Sequence, residues 1–192
     1  EMQSVFNGLS ATDLATLGKL TPVLPALESL QLIERSGSAA PDGWQQLVEG
    51  LGVGALPAVT CFHLVNVCVG DAGASALATA LGQGALPRLK TLTLSTAAIG
   101  DAGLVALAPA VRRLSALEWF DLDDNPFGDE GLAALVAPPP PPAGTPPAGG
   151  LKRLKVLDLR HTEVSDIGCA TLATARDSGA LPALEELKLD GT

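Results

Sequence analysis

The stretch Leu86-Pro87-Arg88-Leu89-Lys90-Thr91-Leu92-Thr93-Leu94, followed by Ile99-Gly100-Asp101-Ala102-Gly103 and then by Leu107 and Val111, decides the fold. Around Leu92 and Leu94 apolar and polar residues alternate, the period-two spacing of a strand with one buried side. After Asp101 the spacing becomes helical. Asp at this point suits a helix N-cap, where its carboxylate takes up free backbone N–H groups. One strand and one helix of this size cannot bury their apolar faces alone, so the unit has to stack on others like it.

The phrase recurs on both sides. Leu56, Val59, Phe62 and Leu64 lead to Val69-Gly70-Asp71-Ala72-Gly73, then to Leu77 and Leu81. Leu114, Leu117, Phe120 and Leu122 lead to Phe127-Gly128-Asp129-Glu130-Gly131 and Leu135. Leu151, Leu154, Leu157 and Leu159 lead to Val164-Ser165-Asp166-Ile167-Gly168 and Leu172. An earlier copy starts at Leu24 and runs through Leu27, Leu30 and Leu32, with a longer turn before Gly43, Leu47 and Leu51. A last copy starts at Leu181 and runs through Leu187 and Leu189 to Thr192. Residues 1 to about 23 read as the tail of one further copy, lacking its strand and with a helix near Ala11–Leu20. The pattern predicts an α/β solenoid of five to six repeats plus a partial one, with a curved parallel sheet inside and helices outside. Residues 1–192 form one domain in this reading. Neither end has an atypical capping copy, so the domain is expected to belong to a longer chain or to have its ends covered.

These residues resemble the leucine-rich-repeat family, and the Asp-x-Gly helix start is similar to its ribonuclease-inhibitor-like subclass. The resemblance implies protein recognition on the concave sheet and no particular partner. The family usually carries Asn or Cys three residues after the second strand leucine, where the side chain satisfies backbone groups of the turn. Here Asn125 fits, whereas Arg35, Val67, Ala97 and Thr162 depart from the pattern and leave those turns to other partners.

One interval is longer than the rest because Ala137–Gly150 reads APPPPPAGTPPAGG. Proline cannot continue a helix and favours polyproline II. The segment could serve as a docking peptide for a proline-recognising domain. The plainer reading, preferred here, is a loop inserted between repeats, because P-x-x-P matches arise in any proline run.

The formal charge is −9, with no basic run, which speaks against nucleic acid and against an anionic membrane surface as partner. No apolar stretch reaches the ~20 residues of a membrane span. Cys61, Cys68 and Cys169 are odd in number and contain no C-x-x-C pair, so free thiols in an intracellular, reducing compartment are expected.

With the leucines turned inward, the residues between them form columns on the concave face. The first column runs Ser29, Cys61, Thr91, Trp119, Val156 and Glu186, and the middle one Gln31, His63, Thr93, Asp121, Asp158 and Lys188. The third runs Ile33, Val65, Ser95, Asp123, Arg160 and Asp190. Trp119 either anchors a partner or lies flat on Thr91 and Val156. Asp158 is expected to pair with Lys188, and Arg160 with Asp123 and Asp190, as cross-strand neighbours. Asp121 beside Asp158 is the pair that would welcome a basic group from outside. The expected partner-binding set is Trp119, Asp121, Asp123, Asp158 and Arg160, with His63 and Thr93.

No nucleophile elbow or phosphate-binding loop is present. His63 and His161 lie three repeats apart, about 14 Å at the usual strand spacing, too far to share a metal. The recurring Asp71, Asp101, Asp129 and Asp166 could suggest calcium, but helix capping accounts for them. Neither a catalytic site nor a cofactor is therefore expected. A non-catalytic protein-binding module is the leading function. The alternatives are a structural subunit of a large assembly, held through helices or ends, and a small-GTPase-activating regulator.

Overall fold

A computed structural model of the chain describes residues 3–7, 13, 16, 17, 19, 24, 26–33, 44, 47, 48, 50–136 and 150–192. Seven strands form one sheet in sequence order: β1 (Gln3–Asn7), β2 (Ser29–Ile33), β3 (Cys61–Val65), β4 (Thr91–Ser95), β5 (Trp119–Asp121), β6 (Val156–Asp158) and β7 (Glu186–Lys188). Every neighbouring pair is parallel. Among the described residues from Gly70 onward, helices alternate with the later strands: α1 (Gly70–Gly82), α2 (Asp101–Val111), α3 (Asp129–Val136) and α4 (Asp166–Asp177). Each packs on the next, α1 on α2, α2 on α3 and α3 on α4.

The core is the stack of inward positions. Phe62, Leu92, Phe120 and Leu157 occupy one register column and Leu30 precedes them, all fully buried. Burying each such side chain favours folding by about 1.5–3 kcal/mol. The long interval before Leu151 leaves the pairing intact, since Trp119, Phe120 and Asp121 still face Val156, Leu157 and Asp158. The proline segment itself, residues 137–149, lies outside the described residues.

The N-terminal copy differs from expectation, because it does have a strand. Residues Gln3–Asn7 pair along their whole length with Ser29–Ile33. Ser4 and Phe6 take the register positions of Leu30 and Leu32, and serine in a leucine position hid the strand from a search for alternating leucines. Most of the helix expected at Ala11–Leu20 lies outside the described residues, although Asp13, Thr16, Leu17 and Lys19 are helical.

The repeated aspartates cap helices, but not their own. The Asp71 carboxylate accepts hydrogen bonds from the N–H groups of Gly100 (2.7 Å) and Gly103 (3.0 Å), at the start of α2. Asp101 does the same for Gly128 (2.9 Å) and Gly131 (2.7 Å), at the start of α3. Asp129 accepts from the Ser165 N–H (2.9 Å) and hydroxyl (2.6 Å), at the start of α4. Those bonds, together with one from the Gly168 N–H, hold its acidity below the ordinary carboxylate range against a smaller opposing effect of burial. α2, α3 and α4 are thus each capped by the repeat before them, which binds neighbouring repeats together as well as satisfying a helix terminus.

This forward arrangement explains the second half of the Asp-x-Gly motif. A Cβ on Gly103 would fall 2.5 Å from Asp71 Oδ1, one on Gly131 2.9 Å from Asp101 Oδ1, and one on Gly168 2.4 Å from Asp129 Oδ1. The glycine makes room for the carboxylate of the preceding repeat. At Gly73 the same room is filled by Trp44, whose ring also stacks on Phe62 at 6.3 Å between centroids. At the other end of the helices Arg112, which follows α2, donates to the Ala134 carbonyl in the last turn of α3.

Candidate protein-binding face

The register aligns the first two columns as the alternation requires. Ser29, Cys61, Thr91, Trp119, Val156 and Glu186 face one another in succession, and so do Gln31, His63, Thr93, Asp121, Asp158 and Lys188. Ile33, Val65 and Ser95 begin the third. Asp123, Arg160 and Asp190 follow just past the ends of their strands, still joined by backbone bonds such as Asp124 N–H to the Arg160 carbonyl (2.9 Å).

At the N-terminal side the polar groups satisfy one another. His63 Nδ1 lies 3.0 Å from Thr93 Oγ1. Burial holds the His63 pKa below its ordinary value and so favours the neutral ring. Thr93 is buried, with 6% of its surface exposed.

The charged half keeps the expected cross-strand pair of Asp158 with Lys188 but not those of Arg160 with Asp123 and Asp190. Arg160 turns back onto its own strand and grips Asp158 with two bonds, Nε to Oδ1 and NH2 to Oδ2, both 2.8 Å. Residues two apart on a strand share a face, which puts this pair within reach. Lys188 Nζ adds a second cation 3.6 Å from Asp158 Oδ2. Asp158 itself is only 1% exposed. Burial pushes its pKa up, but the bonds from Arg160 and the charge of Lys188 outweigh this and leave it below the ordinary value. Asp123 binds neither Arg160 nor Lys188; its Oδ1 meets His161 Nδ1 at 2.9 Å. His161 was not among the residues picked from the sequence, because it falls one position past the third column.

Two groups on this face stay open. Trp119 is 36% exposed, and Lys188 Nζ sits 4.9 Å from its ring centroid, a cation–π contact reaching across from β7. Asp121 is half-buried, and its Oδ1 accepts one bond, from the Asp123 N–H at 3.0 Å. Its pKa is raised, chiefly by burial and further by the charges of Asp158 and Asp123, against the opposing Asp123 N–H and Arg160. No cation touches it among the described residues.

The turns that follow the strands share one backbone plan. Asn66, Thr96, Asp124 and His161 all take positive φ, between 52° and 58°. Each precedes the position that in the family holds Asn. Asn125 fills it once and serves two repeats: its Oδ1 accepts from the N–H groups of Ala97 (3.2 Å) and Ile99 (3.0 Å), and its Nδ2 donates to the carbonyls of Leu94, Leu122 and Asp123. Comparison with protein families finds a model described as Leucine Rich repeat at residues 86–108, 117–136 and 152–173, one match per repeat.

The chain is a leucine-rich-repeat solenoid.

Solved structures agree on the fold. The solenoid is similar to the tropomodulin C-terminal domain of Caenorhabditis elegans, with a TM-score of 0.57 and 13% identity, covering 87% of this chain and 93% of that one. It is also similar to leiomodin-1 actin-binding site 2, with a TM-score of 0.52 and 15% identity, covering 77% and 78%. No curated protein matches it. Where the solenoid lacks the family's Asn, other groups serve. The Thr162 hydroxyl donates to the Leu159 carbonyl at 2.7 Å, and the Ala97 carbonyl accepts from the N–H groups of Val69 and Gly70. Among the described residues no cluster of His, Cys, Asp and Glu could hold a metal, and no helix is long and apolar enough to cross a membrane. Cys61, Cys68 and Cys169 are free thiols.

Proposed function

We propose that the solenoid is a protein-interaction module whose helix-free sheet face binds a partner through a basic segment, centred on Trp119 and Asp121. The observation that carries this reading is Asp121. It is a half-buried carboxylate beside an exposed tryptophan, with a single backbone donor and no cation in contact among the described residues. A lysine or arginine from a partner would supply the missing counter-charge, and Trp119 would supply apolar area on a rigid strand. In this reading Asp158 serves as the anchor that fixes Arg160, whose guanidinium edge, with Asp123, rims the contact. His63 and Thr93 extend the face as a neutral surface.

The test compares the wild-type chain with Trp119→Ala and Asp121→Lys in affinity capture followed by mass spectrometry. Val105→Glu, on the exposed side of α2, is the control for the helical face. Loss of the same protein from both sheet variants and its retention by the control would support the reading. Retention by both sheet variants would move the contact to the helices or the ends. Leiomodin-1 actin-binding site 2 makes actin a defined ligand to try first, although the likeness to it is one of fold. Quenching of Trp119 on titration with a purified candidate gives a direct readout, since the other tryptophan, Trp44, is buried.

A further inference from the structure

The basic residues of the solenoid collect on one edge, although the sequence never sets more than two of them side by side. The segments that lead into β4, β5 and β6, residues 86–90, 113–118 and 150–155, carry Arg88, Lys90, Arg113, Lys152, Arg153 and Lys155. These are six of the 12 Lys and Arg residues in a chain of net charge −9, and the same segments hold one carboxylate, Glu118, so the edge is locally cationic on an acidic molecule. All six basic side chains are exposed.

Stacking brings them together. Each segment makes the same turn, closed by the Leu89 N–H on the Leu86 carbonyl, Leu117 on Leu114 and Leu154 on Leu151. The strands that follow are in register, so Lys90, Glu118 and Lys155 stand in one row along the edge. Backbone bonds join that row, from the Glu118 N–H to the Lys90 carbonyl and from the Lys155 N–H to the Glu118 carbonyl, both 2.8 Å. Arg88 and Arg153 occupy the next row, on either side of Ala116. The edge already holds one carboxylate. Glu118 Oε2 accepts from Lys155 Nζ at 2.8 Å. That bond and the charge of Lys155 hold the Glu118 carboxyl below its ordinary range, and beyond an opposing effect of burial the charges of Arg153 and Lys90 act in the same sense. Arg88, Lys90, Arg113, Lys152 and Arg153 make no ion pair among the described residues. Attraction to the carbonyl end of a helix accounts for Arg113, two residues past α2, but not for the cations of the strand-entry turns.

We infer that this edge is a docking surface for an acidic peptide segment of a protein partner. Two strand spacings make the patch about 10 Å wide. Three or four acidic residues in extended form span up to about 10–14 Å, so one short run reaches Arg88, Lys90 and Arg153 together. The planar forks of Arg88 and Arg153 each suit a carboxylate. The patch is bounded: its row turns acidic past Lys155, at Glu185, and on the other side continues as Thr60 and Glu28. A nucleic-acid duplex or a membrane surface would extend over those carboxylates, whereas screening over about 8–10 Å lets a short segment feel the patch alone. Grooves for single-stranded nucleic acid set aromatic rings beside their cations, and these segments contain none. No residue of the edge belongs to the Trp119–Asp121 site, and the two surfaces call for partners of opposite charge, so either can fail without the other.

The probe is a dye-labelled hexaglutamate peptide, titrated with the whole chain and followed by fluorescence anisotropy at low salt. Saturable binding that weakens as salt rises is expected. Arg153→Glu should weaken it about fivefold or more. Lys19→Glu makes the same change of net charge at an exposed position of the N-terminal copy, and should alter binding by less than about twofold because a distant charge is screened. Glu118→Gln should tighten binding, since it removes the competing carboxylate and frees Lys155; a role confined to stability gives no such gain. Far-UV circular dichroism checks that each variant is folded. No binding at millimolar peptide, or equal losses from Arg153→Glu and Lys19→Glu, overturns the inference. Tighter binding of an oligothymidylate of equal charge, or of phosphatidylserine vesicles, overturns it in favour of nucleic acid or a membrane. Self-association of the chain that Arg153→Glu abolishes overturns it in favour of a second copy.

Discussion

Replacing Asp101 with alanine tests the direction of the capping chain. Asp101 Oδ1 accepts from Gly128 and Gly131 at 2.9 and 2.7 Å, both at the start of the following helix. Losing a capping side chain costs about 0.5–2 kcal/mol, and a hydrogen bond to a charged group contributes about 1.5–3 kcal/mol. Gly131 is buried and water cannot easily replace its partner, so the upper part of the capping range applies, about 2 kcal/mol. At about 2–4 °C per kcal/mol for a chain of this size, the melting temperature should fall by about 4–8 °C. Asp166→Ala, at the equivalent position, should stay within about 0.5 kcal/mol of wild type, because its carboxylate has no partner among the described residues. Urea denaturation followed by far-UV circular dichroism measures both. Gly131→Ala gives a second reading of the same geometry. Glycine to alanine within a helix ordinarily stabilises by about 0.5–1 kcal/mol. Here the new methyl would lie 2.9 Å from Asp101 Oδ1, so the substitution should destabilise, and the penalty should shrink when Asp101 is already alanine. Equal losses for Asp101→Ala and Asp166→Ala would refute forward capping, as would a Gly131→Ala penalty that ignores the residue at 101.

Asp121→Asn should stabilise the free chain at pH 7 and not at pH 3. A raised folded pKa means that the charged carboxylate opposes folding at neutral pH, and this cost disappears as pH falls below the unfolded value of about 3.9; thermal melts across pH check it. Asn125→Ala strands two buried N–H groups and three carbonyls, so a loss of about 3 kcal/mol or more is expected by urea titration. Deleting Pro138–Pro147 should leave the melting temperature within a few degrees, since loop closure changes by only about 0.6 kcal/mol per doubling of length; a loss of cooperativity would show that the segment packs into the core.

The repeat could be read from sequence because its signal is periodic. Leucines at Leu92, Leu94, Leu157 and Leu159 fix both the strand and the face, and the columns follow from that alternation alone. The strand at Gln3–Asn7 could not, because Ser4 carries no apolar mark and its place is known only from pairing with Leu30. The direction of capping was hidden for a different reason. An aspartate that recurs at every helix start has the same spacing whether it serves its own helix or the next, so periodicity does not distinguish the two. The glycine two residues on held the answer, as a vacancy that a neighbour's carboxylate fills at Gly103, Gly131 and Gly168. In the candidate site, Trp119 and Asp121 were picked out by position. The pairing of Arg160 with Asp158 was missed because cross-strand neighbours were weighed and the i, i+2 neighbour on the same strand was not.

Forward capping also bears on the order in which the chain is made. Synthesis runs from the N-terminus, so each repeat emerges after the one whose aspartate it needs. When Gly100 and Gly103 leave the ribosome, Asp71 has already been synthesised, and the same holds for Asp101 and for Asp129. A nascent helix therefore meets an acceptor in place for its costly first turn, which is the step that limits helix formation. Had the aspartates reached backward, every helix would have waited, its amides unpaired, for chain not yet translated.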